Sequence, residues 1–125
     1  MSKDRSRDDA LRQLRRICLA LPEVTETLTF GNPTFQAGKK TFTVLDRYKG
    51  EYSIAFKATA ADQAALTVDE RFFVTPYSGK HGWTSLRLSA DMDWEEVEGL
   101  VVSSYRLLAL KRMLKQLDAR SPAGD

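Results

Sequence analysis

Apolar residues first recur at helical spacing. Leu11, Leu14, Ile17, Cys18 and Leu21 share one face of a helix that the pattern starts at Asp8 or Asp9 and that Pro22 ends. The two acids suit the positive end of its macrodipole. Beyond Pro22 the period changes. Gly31-Asn32-Pro33, Gly38 and Lys49-Gly50 cut the chain into short pieces rich in Thr, Phe, Val, Tyr and Ile. Those pieces predict strands over 26–30, 34–37, 40–47 and 52–57. In the third, Phe42 and Val44 alternate with Thr41, Thr43 and Leu45. In the fourth, Tyr52, Ile54 and Phe56 alternate with Ser53, Ala55 and Lys57. The pattern is a meander with one face on a core and a more polar face opposite.

Thr59, with Asp62 three residues on, predicts a cap for a short Ala-rich helix through Leu66. "RFFVTPY" resumes extended structure and "WTSLRLS" is its partner, with Leu86 and Leu88 pointing one way and Trp83, Ser85 and Arg87 the other. Asp93, with Glu96, caps a last helix whose stripe runs Val97, Leu100, Val101, Ser104, Leu107, Leu108 and Leu114. Acids crowd its start and bases its end, as the helix dipole prefers. The order α-β(3-4)-α-β(2)-α predicts an α+β fold, an antiparallel β-sheet with helices packed on one face. One domain is expected over 8–118, with disordered termini at 1–7 and 119–125.

Composition narrows the function classes. The 125 residues carry one cysteine, one histidine and a net charge of +2. A lone cysteine makes no internal disulfide, and with a single histidine it builds no zinc site from soft ligands. No apolar run nears the roughly 20 residues that span a bilayer, and "MSKDRSRDDA" has no signal-peptide core. The expectation is a cytoplasmic, monomeric protein with no membrane contact, no cofactor and no metal. A net charge this small permits nucleic-acid binding only if the bases cluster.

The stretch "SGKHGW", residues 78–83, holds the one histidine and concentrates the candidate chemistry. A catalytic His81 needs an orienting carboxylate and a nucleophile in reach, and no G-x-S-x-G elbow, Cys–His signature or H-E-x-x-H supplies them. A phosphate loop needs the G-x-x-x-x-G-K-[ST] spacing, which is absent. A glycine-made hairpin tip fits best. In its functional version it is a wing on which Lys80, His81 and Arg87 touch phosphates while Trp83 packs or stacks. Two further turns also carry bases: "AGKKTF" offers Lys39 and Lys40, and "DRYKGEY" offers Arg47 and Lys49 beside Tyr48. Solvated turns account equally well for such bases. The carboxylate pairs Glu23/Glu26, Asp69/Glu70 and Asp91/Asp93 have local duties in turns and caps, so no catalytic residues are expected and the protein is read as no enzyme.

Taken together, "CLALPEVTETLTFGNPTFQAGKKTFTVL", "PYSGKHGWTSLRL" and "DWEEVEGLVVSSYRLLALKR" resemble the MmcQ/YjbR family of small bacterial proteins, from about Leu11 to Leu117. Pro33, Phe35, Gly38, Lys39, Lys80, Trp83, Ser104 and Tyr105 sit where the family pattern has them. The resemblance implies a compact α+β domain with two protruding hairpins, a double wing, and DNA as partner through largely sequence-independent phosphate contacts. On that reading the nucleic-acid-binding residues are Lys39, Lys40, Arg47, Lys49, Lys80, His81, Trp83 and Arg87. Ser104 and Tyr105 lie mid-helix, so packing or helix–sheet hydrogen bonding is expected of them rather than chemistry. The alternative is a protein- or small-ligand-binding module using the polar sheet face around Trp83, Ser85, Arg87 and Tyr52.

Overall fold

A computed structural model describes residues 3–120. The amphipathic start of the chain forms α1 (Lys3–Cys18), which buries Ala10, Leu11, Leu14, Ile17 and Cys18. The helix begins at Lys3 rather than Asp8, so residues 3–7, expected to be disordered, are helical. Residues 119–120, also expected to be disordered, close the last helix. The rest of the two expected disordered termini, 1–2 and 121–125, lies outside the described residues.

Four strands follow as a meander: β1 (Val24–Thr29), β2 (Asn32–Ala37), β3 (Lys40–Tyr48) and β4 (Glu51–Lys57). Two-residue turns join them. Phe30-Gly31 and Lys49-Gly50 both hold positive φ at each position, the type I′ geometry that matches strand twist. After α2 (Ala60–Leu66) come β5 (Phe72–Val74) and β6 (Trp83–Arg87). All neighbours are antiparallel in a six-stranded sheet of order β1-β2-β3-β4-β6-β5. Two further helices, α3 (Trp94–Leu108) and α4 (Lys111–Arg120), complete the α+β fold.

Both local caps form as their sequence implies. Thr59 Oγ1 accepts from the Asp62 amide at 3.1 Å, and Asp93 Oδ1 accepts from the amides of Glu95 and Glu96. The helix-side face of the sheet carries Phe35, Leu45, Ile54, Phe56, Phe72 and Leu86, all buried. Val97, Val101 and Tyr105 of α3 close over it, each burial contributing about 1.5–3 kcal/mol. Phe42 meets the Tyr105 ring edge-on, with centroids 5.4 Å apart.

Strict alternation fails at one place in β3. Thr34 stands opposite Val44 and Phe35 opposite Thr43, but Gln36 stands opposite Thr41, so Phe42 is an extra residue. This β-bulge turns Phe42 and Thr43 both into the core and leaves Val44 on the far face, where alternation had set it beside Phe42. The last helix departs from expectation as well. It breaks at Ala109, whose ψ is 151°, although no glycine or proline stands there. The break redirects α4 so that Met113 is fully buried against Gly38. A straight continuation would have carried Met113 away from the core.

Candidate functional site

The strand order decides which bases can act together. β3 and β6 begin, and β2, β4 and β5 finish, at the same end of the sheet, because Ala37 faces Lys40 and Lys57 faces Trp83. The turn carrying Lys39 and Lys40 and the connection carrying Lys80 and His81 therefore share that end. They are about three strand spacings apart, roughly 14 Å. Arg47 and Lys49 lie at the opposite end with the β3–β4 turn, and Arg87 lies toward that end, opposite Ser53. The eight bases and aromatics grouped from sequence thus divide into two sets.

The connection from β5 to β6 differs from the expected hairpin tip. Residues 75–82 form a longer path that ends in a single 3-10 turn, Gly79–His81. Only one of its two glycines uses a left-handed conformation. Gly82, at φ 91°, would place a Cβ 2.2 Å from the Ala58 carbonyl oxygen, so both its conformation and its closeness to α2's lead-in demand glycine. Gly79 is instead buried against Val74, where a Cβ would collide with Cγ1. Gln63 of α2 pins the path by donating from Nε2 to the carbonyls of Gly79 and Trp83, each at 2.9 Å. Lys80 and His81 are exposed on this braced turn.

Arginines and lysines play different parts. Arg7, Arg12, Arg15, Arg16, Arg71, Arg106 and Arg112 are each paired with a carboxylate. Arg47 and Arg87 lie over the rings of Tyr52 and Phe73, and Arg87 also donates to the Glu70 carbonyl. Planar guanidinium forks suit such fixed contacts. Lys39, Lys40, Lys57, Lys80, His81, Lys111 and Lys115 have no carboxylate partner among the described residues. Lys57, Lys111 and Lys115 were missed from sequence, although the first turn of α4 lies beside the β2–β3 turn through the Met113–Gly38 contact. The signal for these three is their missing partner, and only coordinates reveal that. Two acids among the described residues stand at this end: Asp62, in the first turn of α2 near Lys57, and Glu23, whose carbonyl accepts from the Gly38 amide and whose carboxylate is paired with Arg112.

The face away from the helices carries Val44, Asp46, Ala55, Trp83, Ser85 and Arg87. Tyr52, expected on that polar face, is on the helix side: it stands opposite Arg47 and two residues from buried Ile54. A hollow of about 260 Å³ sits on the open face, floored by Val44 and Ala55 and edged by Phe30 and Trp83. Asp46 lines it, accepting from Asn32 Nδ2 at 3.3 Å and from the Arg47 amide at 2.8 Å. Among the described residues no helix is long and apolar enough to cross a membrane.

The Ser104–Tyr105 pair is fully structural in its contacts. Ser104 Oγ donates to the Phe42 carbonyl at 2.6 Å and accepts from the Lys57 amide at 2.9 Å. Tyr105 Oη donates to the Pro22 carbonyl at 2.8 Å. Burial raises the tyrosine's pKa above its ordinary value. Ser104 thus makes the helix–sheet hydrogen bonds expected of a mid-helix position, while Tyr105 ties α3 to the turn between α1 and β1.

The sequence model of a family described as YjbR matches residues 19–107. No curated protein matches the chain.

Proposed function

The chain belongs to the YjbR family, and from that membership and the charge layout of its sheet we propose that it binds DNA through phosphate contacts, without catalysis. The observation that carries the reading is the collection of unpaired bases at one end: Lys39, Lys40, Lys80 and His81, with Lys57 between them on β4. Lysines with no carboxylate partner keep their charge available to a polyanion, and each phosphate they neutralise releases a counterion. The bases come from two separate connections, and the bracing of one by Gln63 limits the entropy lost on binding. Arg47, Lys49 and Arg87 are outside this set. The β3–β4 turn would face a different phosphate or none.

Titration of a labelled duplex at two salt concentrations tests the reading. Four contacted phosphates give about a hundredfold loss of affinity between 50 and 200 mM salt. Absence of binding at the lower salt overturns it.

A second reading, a module that takes a small ligand or protein segment on the open sheet face, is favoured by the hollow over Val44 and Ala55. It predicts ligand-dependent stabilisation with no nucleic acid present.

A further inference from the structure

We infer that the hollow on the open face takes one unstacked nucleobase bearing an amino group, so that the strand preferred by this protein is single. The inference rests on the DNA-binding reading and adds the part of the nucleic acid that the phosphate contacts leave unread.

The lining states the chemistry. Val44 and Ala55 give an apolar floor, Phe30 and Trp83 give aromatic edges, and Asn32 and Asp46 give polar groups. No lysine or arginine lines it, so a phosphate does not belong there. Asp46 is half-buried, has no cation paired with it and uses only part of its acceptor capacity on Asn32 and Arg47. An exocyclic amino group on a flat ring satisfies it; adenine, cytosine and guanine carry one, whereas thymine offers only its ring N3–H, set between two carbonyl oxygens that the carboxylate repels. The size limits the occupant further. About 260 Å³ is just below the roughly 300–1,000 Å³ of ordinary ligand pockets, room for one ring system.

Phe30 supplies an independent indication. It holds φ 51° in a type I′ turn, where asparagine, aspartate or glycine sits without strain. It is also fully exposed, at 101 %, so core packing returns nothing for the awkward choice. An exposed ring at the rim of a hollow is instead placed to stack on a base. The flanking phosphates then have cations to reach, because Thr41 of the lining adjoins Lys40 and Ser78 lies two residues before Lys80.

The experiment measures anisotropy of four labelled probes of equal phosphate number at low salt: oligo(dA), oligo(dT), an abasic strand and a duplex. Oligo(dA) should bind at least tenfold tighter than the abasic strand and the duplex, the size of one base–aromatic stack. Phe30→Asn, which suits the turn, should bring oligo(dA) down to the abasic level and leave the abasic affinity unchanged. Asp46→Asn should erase the preference for oligo(dA) over oligo(dT). Equal binding of all four probes, or an unaltered Phe30→Asn variant, overturns the base slot and leaves phosphate binding standing. Binding of none overturns the DNA reading and the slot together.

Discussion

The hydroxyl of Ser104 lies 2.6 Å from the main-chain oxygen of Phe42, to which it donates, and receives the Lys57 amide on its other side. One side chain from α3 thus joins β3 to β4 where their ladder ends, at the residue that bulges out of the β2–β3 pairing. It also fixes the end of the sheet where Lys39, Lys40 and Lys57 stand. Ser104→Ala leaves two backbone groups unpaired at about 1–3 kcal/mol each. The expected loss is roughly 2–6 kcal/mol, read from urea unfolding; a change under about 0.5 kcal/mol would show that the bulge needs no partner.

Tyr105→Phe isolates the neighbouring bond. The ring keeps its edge-on contact with Phe42 while the Pro22 carbonyl loses its donor. Destabilisation of about 1–2 kcal/mol is expected from denaturant midpoints at an unchanged m-value.

Gly82→Ala forces an alanine to φ 91° and into the Ala58 carbonyl. Loss of more than about 3 kcal/mol is expected, combining backbone strain with the collision. Gly31→Ala, at φ 81° with nothing within 4 Å, should cost only the strain, about 1–2 kcal/mol. Thermal unfolding of the two variants side by side makes the comparison.

Phe30→Asn should hold or raise stability by up to about 1 kcal/mol, because asparagine adopts the left-handed turn position more readily than phenylalanine. Calorimetric midpoints give the sign. A clear loss would mean that the exposed ring supports the fold.

Cys18 is buried, and desolvation raises its thiol well above the ordinary value of 9.0. The folded thiol stays neutral where the unfolded one ionises. Its contribution to stability is therefore complete below about pH 8 and lost as pH rises beyond 9. Alkylation at pH 8.5 should be slow in the native protein and rapid in denaturant, with mass spectrometry as readout.

Local signals were legible and tertiary ones were not. Thr59 and Asp93 could be read as caps because a cap and its amides lie within three residues. Tyr52, Ile54 and Phe56 could be read as one face for the same reason. The Phe42 carbonyl at the bulge finds its donor on Ser104, 62 residues along the chain, so no local signal interrupts the alternation. The break at Ala109 has no breaker residue; burial of Met113 against Gly38 drives it. α1 begins at Lys3 although residues 3–7 carry no apolar stripe.

The site divides in the same way. Periodicity found the turns that hold Lys39, Lys40, Lys49 and Lys80. The meander itself puts Lys49 at the end of β3 away from Lys39 and Lys40; only the pairing of β4 with β6 brings Lys80 to the end that holds the latter two. "SGKHGW" has the sequence of a glycine-made tip, whereas Gly79 is there for closeness to Val74 and Gln63 braces the path.

The salt dependence of DNA binding by the wild-type protein and by Lys39→Ala/Lys80→Ala tests the central claim most directly. Both side chains are exposed and without carboxylate partners, so the double variant should fold normally. The account predicts a wild-type slope of log K against log salt of about −3 to −4, reduced by roughly two in the variant. Binding with an unchanged slope, or no binding at low salt, would contradict it.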